Sequence, residues 1–134
     1  MANTTFSGPV RSENGFEQVT KNATTGAFTT SATYDATIIG GVQSLSGAGA
    51  VDLTNLITEV TTTGADALTL ADGTTSGQVK IINMIVDGGD GTLTPVTFAN
   101  GTTITFDAVA ESATLVWNST IGWVATSVQG ATIA

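Results

Sequence analysis

What most narrows the fold of this chain is a rhythm of short, threonine-rich runs cut at close intervals by turn residues. From Tyr34 onward the runs 34–39, 49–53, 57–62, 67–71, 78–86, 92–98, 103–107, 113–118 and 122–128 read as strands. Gly40-Gly41, Gly64, Asp72-Gly73, the stretch from Asp87 to Gly91 and Asn100-Gly101 punctuate them. No segment carries a helical period. Threonine is the commonest polar residue, and its branched Cβ loses less freedom in a strand than in a helix. The expected class is all-β: a small antiparallel β-sandwich, jelly-roll-like or β-tulip-like, over residues 34–134, with an extended N-terminal arm over 1–33.

Two hairpins can be tested for register. A two-residue turn at Asn100-Gly101 would set Phe98 against Thr103 and Val96 against Thr105, apolar against polar. A shift by one residue pairs Phe98 with Ile104 and Val96 with Phe106, and this is the expected pairing. In the second hairpin, Trp117 opposite Trp123 places Leu115 against Ala125 on one face and Val116 against Val124 on the other. Both faces are then partly apolar. Strand 78–86 behaves likewise, with Val79, Ile81 and Ile85 on one side and Ile82, Met84 and Val86 on the other. A strand apolar on both sides belongs inside a layered fold or at a contact between subunits, so Trp117, Trp123, Ile82 and Met84 are assigned to core or interface and an oligomer is expected.

Composition excludes much chemistry. With 134 residues the chain holds one domain's worth of core, and 41% of it is apolar. It has no cysteine and no histidine, so disulfides, thiol nucleophiles and imidazole bases are ruled out. The lack of cysteine does not locate the protein. The net charge is -8, and Arg11, Lys21 and Lys80 are scattered, which argues against a nucleic-acid partner. Residues 1–21 balance Arg11 and Lys21 against Glu13 and Glu17, whereas 22–134 hold nine of the 11 acids against Lys80 alone. Met1 to Phe6 has neither a basic start nor an apolar run, and no stretch is long and apolar enough for a span, so neither export signal nor membrane partner is expected.

The candidate sites are weak as chemistry. Asp87-Gly-Gly-Asp-Gly91 suggests a calcium loop, yet the EF-hand spacing fails, and a plain turn is the better reading. Asp35, Asp52, Glu59, Asp66, Asp72, Asp107 and Glu111 could supply a glycosidase pair, but most adjoin turns or strand ends. A serine nucleophile would need Lys80 as its base, and Lys80 is expected to reach from its strand to solvent. The sequons at Asn3, Asn22, Asn100 and Asn118 are what a Thr- and Asn-rich composition produces. Trp117, Trp123 and Tyr34 could form a sugar-stacking platform, a role ranked below packing. No enzyme activity, metal or cofactor is expected. The first 33 residues show no period and carry isolated Phe6, Phe16 and Phe28. Such a segment is a mobile tail or an arm laid on a neighbour, and the spaced aromatics favour the arm.

The stretch Thr4-Thr5-Phe6-Ser7-Gly8-Pro9-Val10-Arg11-Ser12-Glu13-Asn14-Gly15-Phe16 resembles the opening of small virion proteins of tailed phages, particularly those of marine bacteria. Leu115 to Trp123, following Leu68 to Gly73 and Gly77 to Lys80, resembles phage head-decoration and fibre proteins. Together these stretches cover less than half of the chain. The resemblance implies a capsid decoration or cement subunit of the outer capsid surface, made in the host cytoplasm and often trimeric. Its partners would be the major capsid protein, touched by an arm carrying Phe6, Pro9, Arg11 and Phe16, and itself. A tail- or head-fibre module with a receptor or carbohydrate contact is the alternative.

Overall fold

A computed structural model describes residues 16–34, 38–39 and 41–134. The chain divides by its internal contacts into two units, Met1–Gly40 and Gly41–Ala134. Phe6, Pro9 and Arg11 lie outside the described residues.

In the first unit, β1 (Phe16–Lys21), β2 (Phe28–Tyr34) and β3 (Ile38–Ile39) form an antiparallel sheet in the order β1-β2-β3. The β1–β2 turn is held by Asn22, whose Oδ1 accepts from the amides of Thr24 (2.8 Å) and Thr25 (2.9 Å). This hairpin has no apolar alternation to announce it, so residues 16–21 and 28–33 do not read as strands in the sequence. Phe16 opens β1, opposite Tyr34.

The second unit contains β4 (Val42–Ser46), β5 (Gly49–Val51), β6 (Ile57–Thr61), β7 (Asp66–Leu70), β8 (Val79–Val86), β9 (Gly91–Pro95), β10 (Ile104–Phe106), β11 (Ser112–Asn118), β12 (Gly122–Gln129) and β13 (Thr132–Ile133). They form two five-stranded sheets. The first has the order β12-β11-β8-β6-β4 and the second β13-β10-β9-β7-β5. The all-β class holds, and no helix occurs among the described residues. The pairing is mixed. From β4 to β9 the chain changes sheet at every turn, so each strand returns beside the one two places earlier and runs parallel to it. The result is a short coil of three windings, closed at its far end by the antiparallel strands β10 to β13.

The turn signals in the sequence are real, but several mark corners between sheets rather than hairpins. Corners of successive windings are linked through Gly47 N to Thr61 O (2.9 Å), Thr62 N to Val86 O (3.0 Å) and Asp66 N to Asp90 O (2.9 Å). The Asp87–Gly91 stretch is such a corner. Gly88 lies so close to the Thr62 carbonyl that a Cβ there would collide with main chain, while its amide donates to Thr62 Oγ1 (2.9 Å).

The core lies between the two sheets. Thr58, Val60, Lys80, Ile82, Met84, Ala113, Leu115, Trp117 and Trp123 face it from the first sheet, and Val51, Leu68, Leu70, Leu93, Ile104 and Phe106 from the second. Each fully buried aliphatic or aromatic side chain stabilises the fold by roughly 1.5–3 kcal/mol. The tryptophan hairpin has the expected register: Trp117 faces Trp123, Leu115 faces Ala125 and Val116 faces Val124.

The other hairpin does not. Ile104 pairs with Leu93, Thr105 with Thr92 and Phe106 with Gly91, five residues away from the expected partners. β9 stops at Pro95, which has no amide to continue a ladder. Phe98 instead bridges Trp123 at the rim of the first sheet, and Val96 is exposed. Asn100 completes this cover by accepting from the Ala125 amide (2.8 Å).

Candidate interaction surface

The two sheets differ on their outer faces. On the second sheet the outward rows are Ala50-Thr69-Thr94 and Ala67-Thr92-Thr105-Thr132, small and hydroxylated. On the first they include Val42-Ile57-Ile81, continued by Thr114 and Ser127, and Val79-Val116-Val124. These two rows are adjacent, because Val79 and Ile81 are two apart on β8. Val42 is 49% exposed and Ile85, further along β8, is 44% exposed. The next row, Ser44-Glu59-Asn83-Ser112, is polar and bears the acid Glu59. Half of one outer face is thus an aliphatic strip with a polar border, the composition of a contact surface rather than of a solvated sheet.

Of the residues singled out in the sequence, Trp117, Trp123, Ile82 and Met84 come together inside, not on this strip. Trp123 is fully buried and Trp117 nearly so, with ring centroids 5.4 Å apart and planes tilted by 59°. Trp123 Nε1 donates to the Ala71 carbonyl (2.9 Å), and Gly73 lies against the Trp117 ring, where any Cβ would clash. Rings enclosed this way offer no stacking face to a sugar.

Lys80 is a correction. Alternation along β8 points it inward, between Val79 and Ile81, and its side chain is fully buried instead of reaching solvent. Its Nζ donates to the Asn55 carbonyl (2.6 Å) and lies 3.7 Å from Asp52 Oδ1. Burial pushes the ammonium below the usual lysine range, and the Asp52 charge partly restores it. For Asp52, partial burial raises the pKa, but hydrogen bonds from Asn55, the charge of Lys80 and the Thr54 amide outweigh it and hold the carboxyl below 3.8. Its Oδ1 accepts from Thr54 N (2.9 Å) and Asn55 N (2.8 Å), and its Oδ2 from Asn55 Nδ2 (2.6 Å). The lysine and aspartate therefore pin the 52–56 loop across the end of the core. With its ammonium committed to a carbonyl, Lys80 is no serine base.

Gln43, which drew no notice in the sequence, belongs to the same cluster. Its Nε2 donates to Ala50 O (2.9 Å), and its Oε1 accepts from Asp52 N (2.9 Å) and from the buried hydroxyl of Thr58 (2.9 Å). The signal available was a lone amide at an inward position of a short alternating run.

Three other carboxylates serve turns. Glu111 Oε2 accepts from Asp107 N (2.7 Å), Asp66 Oδ2 from Thr63 N (2.8 Å) and Asp87 Oδ1 from Gly89 N (2.9 Å). Among the described residues no three acidic side chains converge on a point that could hold a metal ion. Asn118 Oδ1 accepts from Thr120 N (2.9 Å) and Ile121 N (3.3 Å), so Asn22, Asn100 and Asn118, the described sequon residues, all have turn or edge duties. No protein-family model and no curated protein matches the chain.

Proposed function

We propose that this protein is a non-catalytic structural subunit of a tailed-phage virion, a decoration or cement protein of the outer capsid surface that binds the major capsid protein and itself. The aliphatic strip Val42-Ile57-Ile81 and Val79-Val116-Val124 carries the reading, because in a lone subunit Val42 is exposed and the other five residues are only half-buried. Three copies meeting through this strip would hide it. The N-terminal unit, neutral over residues 1–21, would lie on capsid subunits, and three such arms on one trimer act together at high effective concentration. The fibre alternative loses its sugar contact, since Trp117 and Trp123 are enclosed in the core.

The test is the mass of the assembly in solution, by light scattering. Ile81→Lys and Val116→Lys place charges on the outer face without entering the core, and each should lower the mass threefold while the circular dichroism is retained. A wild-type mass that neither substitution changes overturns the reading. Removal of residues 2–15 should then leave a folded assembly that no longer coats capsids lacking their decoration protein; full occupancy by the truncated chain would count against the arm.

A further inference from the structure

The two sheets of the second unit have four edges, and the fold treats them unequally. β13 is only two residues long, and β12 is covered at its start by Thr97 to Asn100 through Trp123 N to Thr97 O (2.9 Å), Ala99 N to Trp123 O (2.9 Å) and the Asn100 side chain. At the other end of the coil lie β5 and β4.

The direction of each amide on these strands follows from the ladders. Leu70 O accepts from Val96 N and Asp66 N donates to Asp90 O, so Asp66, Leu68 and Leu70 turn toward β9. Ala67 and Thr69 then face β5, which meets them with Gly49 and Val51 and leaves Ala50 and Asp52 pointing off the sheet. The Gln43 carboxamide bonds both of these, donating to Ala50 O and accepting from Asp52 N, as a peptide group of a further strand would. This edge is closed by a side chain. On β4 the same reasoning gives the opposite result. Ile57 N donates to Gly41 O and Gly47 N to Thr61 O, so Gly41, Gln43, Leu45 and Gly47 face β6. Val42, Ser44 and Ser46 therefore turn three amides and three carbonyls outward, with no charged residue anywhere on the strand.

We infer that β4 is the docking edge for the β4 of a second copy, paired antiparallel about a two-fold axis through Ser44. It rests on the self-association proposed above. In that register Ser44 meets Ser44 of the second copy and Val42 meets its Ser46, so every outward amide and carbonyl of the three residues finds a partner. The pairing is self-complementary, which no arbitrary foreign strand would be. The neutrality of Val42-Gln-Ser-Leu-Ser46 lets two acidic bodies of net charge -8 meet there without opposing carboxylates on the seam. It also joins the two first sheets into one of ten strands, in which the polar row through Ser44 runs on into the same row of the second copy. Natural folds block edges they do not use, and among the described residues three of the four are blocked or minimal.

Ser44→Pro is the discriminating variant. The Ser44 amide takes no part in the β6 ladder, so proline removes only an outward donor at an edge position that tolerates it. The expected result is an assembly mass halved relative to wild type with unchanged circular dichroism, a factor distinct from the threefold drop expected for Ile81→Lys. Ser44→Cys guards against a folding defect. The two-fold sets the paired Cα atoms about 5.5 Å apart, within the range of about 4.4–6.8 Å that a disulfide spans, so mild oxidation should give a covalent dimer. An unchanged mass for Ser44→Pro, or no crosslink in a folded Ser44→Cys protein, overturns the inference while leaving the strip-mediated assembly standing.

Discussion

The Nζ of Lys80 donates to the main-chain carbonyl of Asn55 across 2.6 Å, joining the start of a core strand to a loop 25 residues earlier in the chain. The ammonium thus acts as a clamp on the corner between β5 and β6. Lys80→Ala removes both the clamp and the aliphatic stem, and should cost about 2–4 kcal/mol in urea unfolding. Lys80→Met keeps the volume and leaves the Asn55 carbonyl unpaired, with an expected loss of about 1–3 kcal/mol. A methionine variant as unstable as the alanine one would show that hydrogen bonding, not packing, dominates there.

The same pair sets the pH dependence. Asp52 has a folded pKa below 3.8, so its contribution is fully present above that value and disappears as pH falls through the folded pKa. Lys80 has a folded pKa below 10.5, so the unfolded chain holds the proton longer. Stability should therefore rise with pH between the folded pKa of Lys80 and 10.5. Unfolding free energies measured against pH should show both slopes, and Asp52→Asn and Lys80→Met should each flatten the corresponding limb.

Gln43→Leu leaves Ala50 O, Asp52 N and the buried Thr58 hydroxyl without their partner. The expected cost is about 2–4 kcal/mol by chemical denaturation, from more than one unsatisfied polar group. The substitution also uncovers the β5 edge, so the variant should form larger, concentration-dependent species by light scattering where the wild type does not.

Trp123→Phe keeps most of the buried ring but strands the Ala71 carbonyl that Nε1 serves. About 1–3 kcal/mol of stability should be lost, read from the shift in the urea midpoint at constant slope. The remaining Trp117 should still emit as a buried indole in the folded variant, because its enclosure comes from the core and from Gly73.

Legibility in the sequence followed distance along the chain. The Trp117–Trp123 hairpin could be read because its loop is short and each residue's partner is a near neighbour. The pairs Leu45–Val60 and Val60–Met84 could not, since partners 15 and 24 residues apart leave no turn signature, and hairpin logic then defaults to antiparallel neighbours. Phe98 misled for a related reason: its alternation with Val96 suggests a strand, while Pro95 has already ended the ladder. For the candidate surface, the outward valines and isoleucines of β8 and β11 were visible as doubly apolar strands, but their alignment with Val42, Ile57 and Val124 needed the parallel register. The inward position of Lys80 was implicit in its alternation; its acceptor was not, because a loop carbonyl carries no mark in the sequence.

The coil from β4 to β9 also bears on how such a chain can vary in length. Every winding offers its successor the same two strand directions, so a tandem copy of residues 57–78 would find a ready berth between β6 and β8 and between β7 and β9. The parted β6–β8 and β7–β9 pairs would each be replaced by two pairs of the same parallel direction. Elongation by duplication is therefore open to this architecture, with the antiparallel closing strands carried along unchanged at its end.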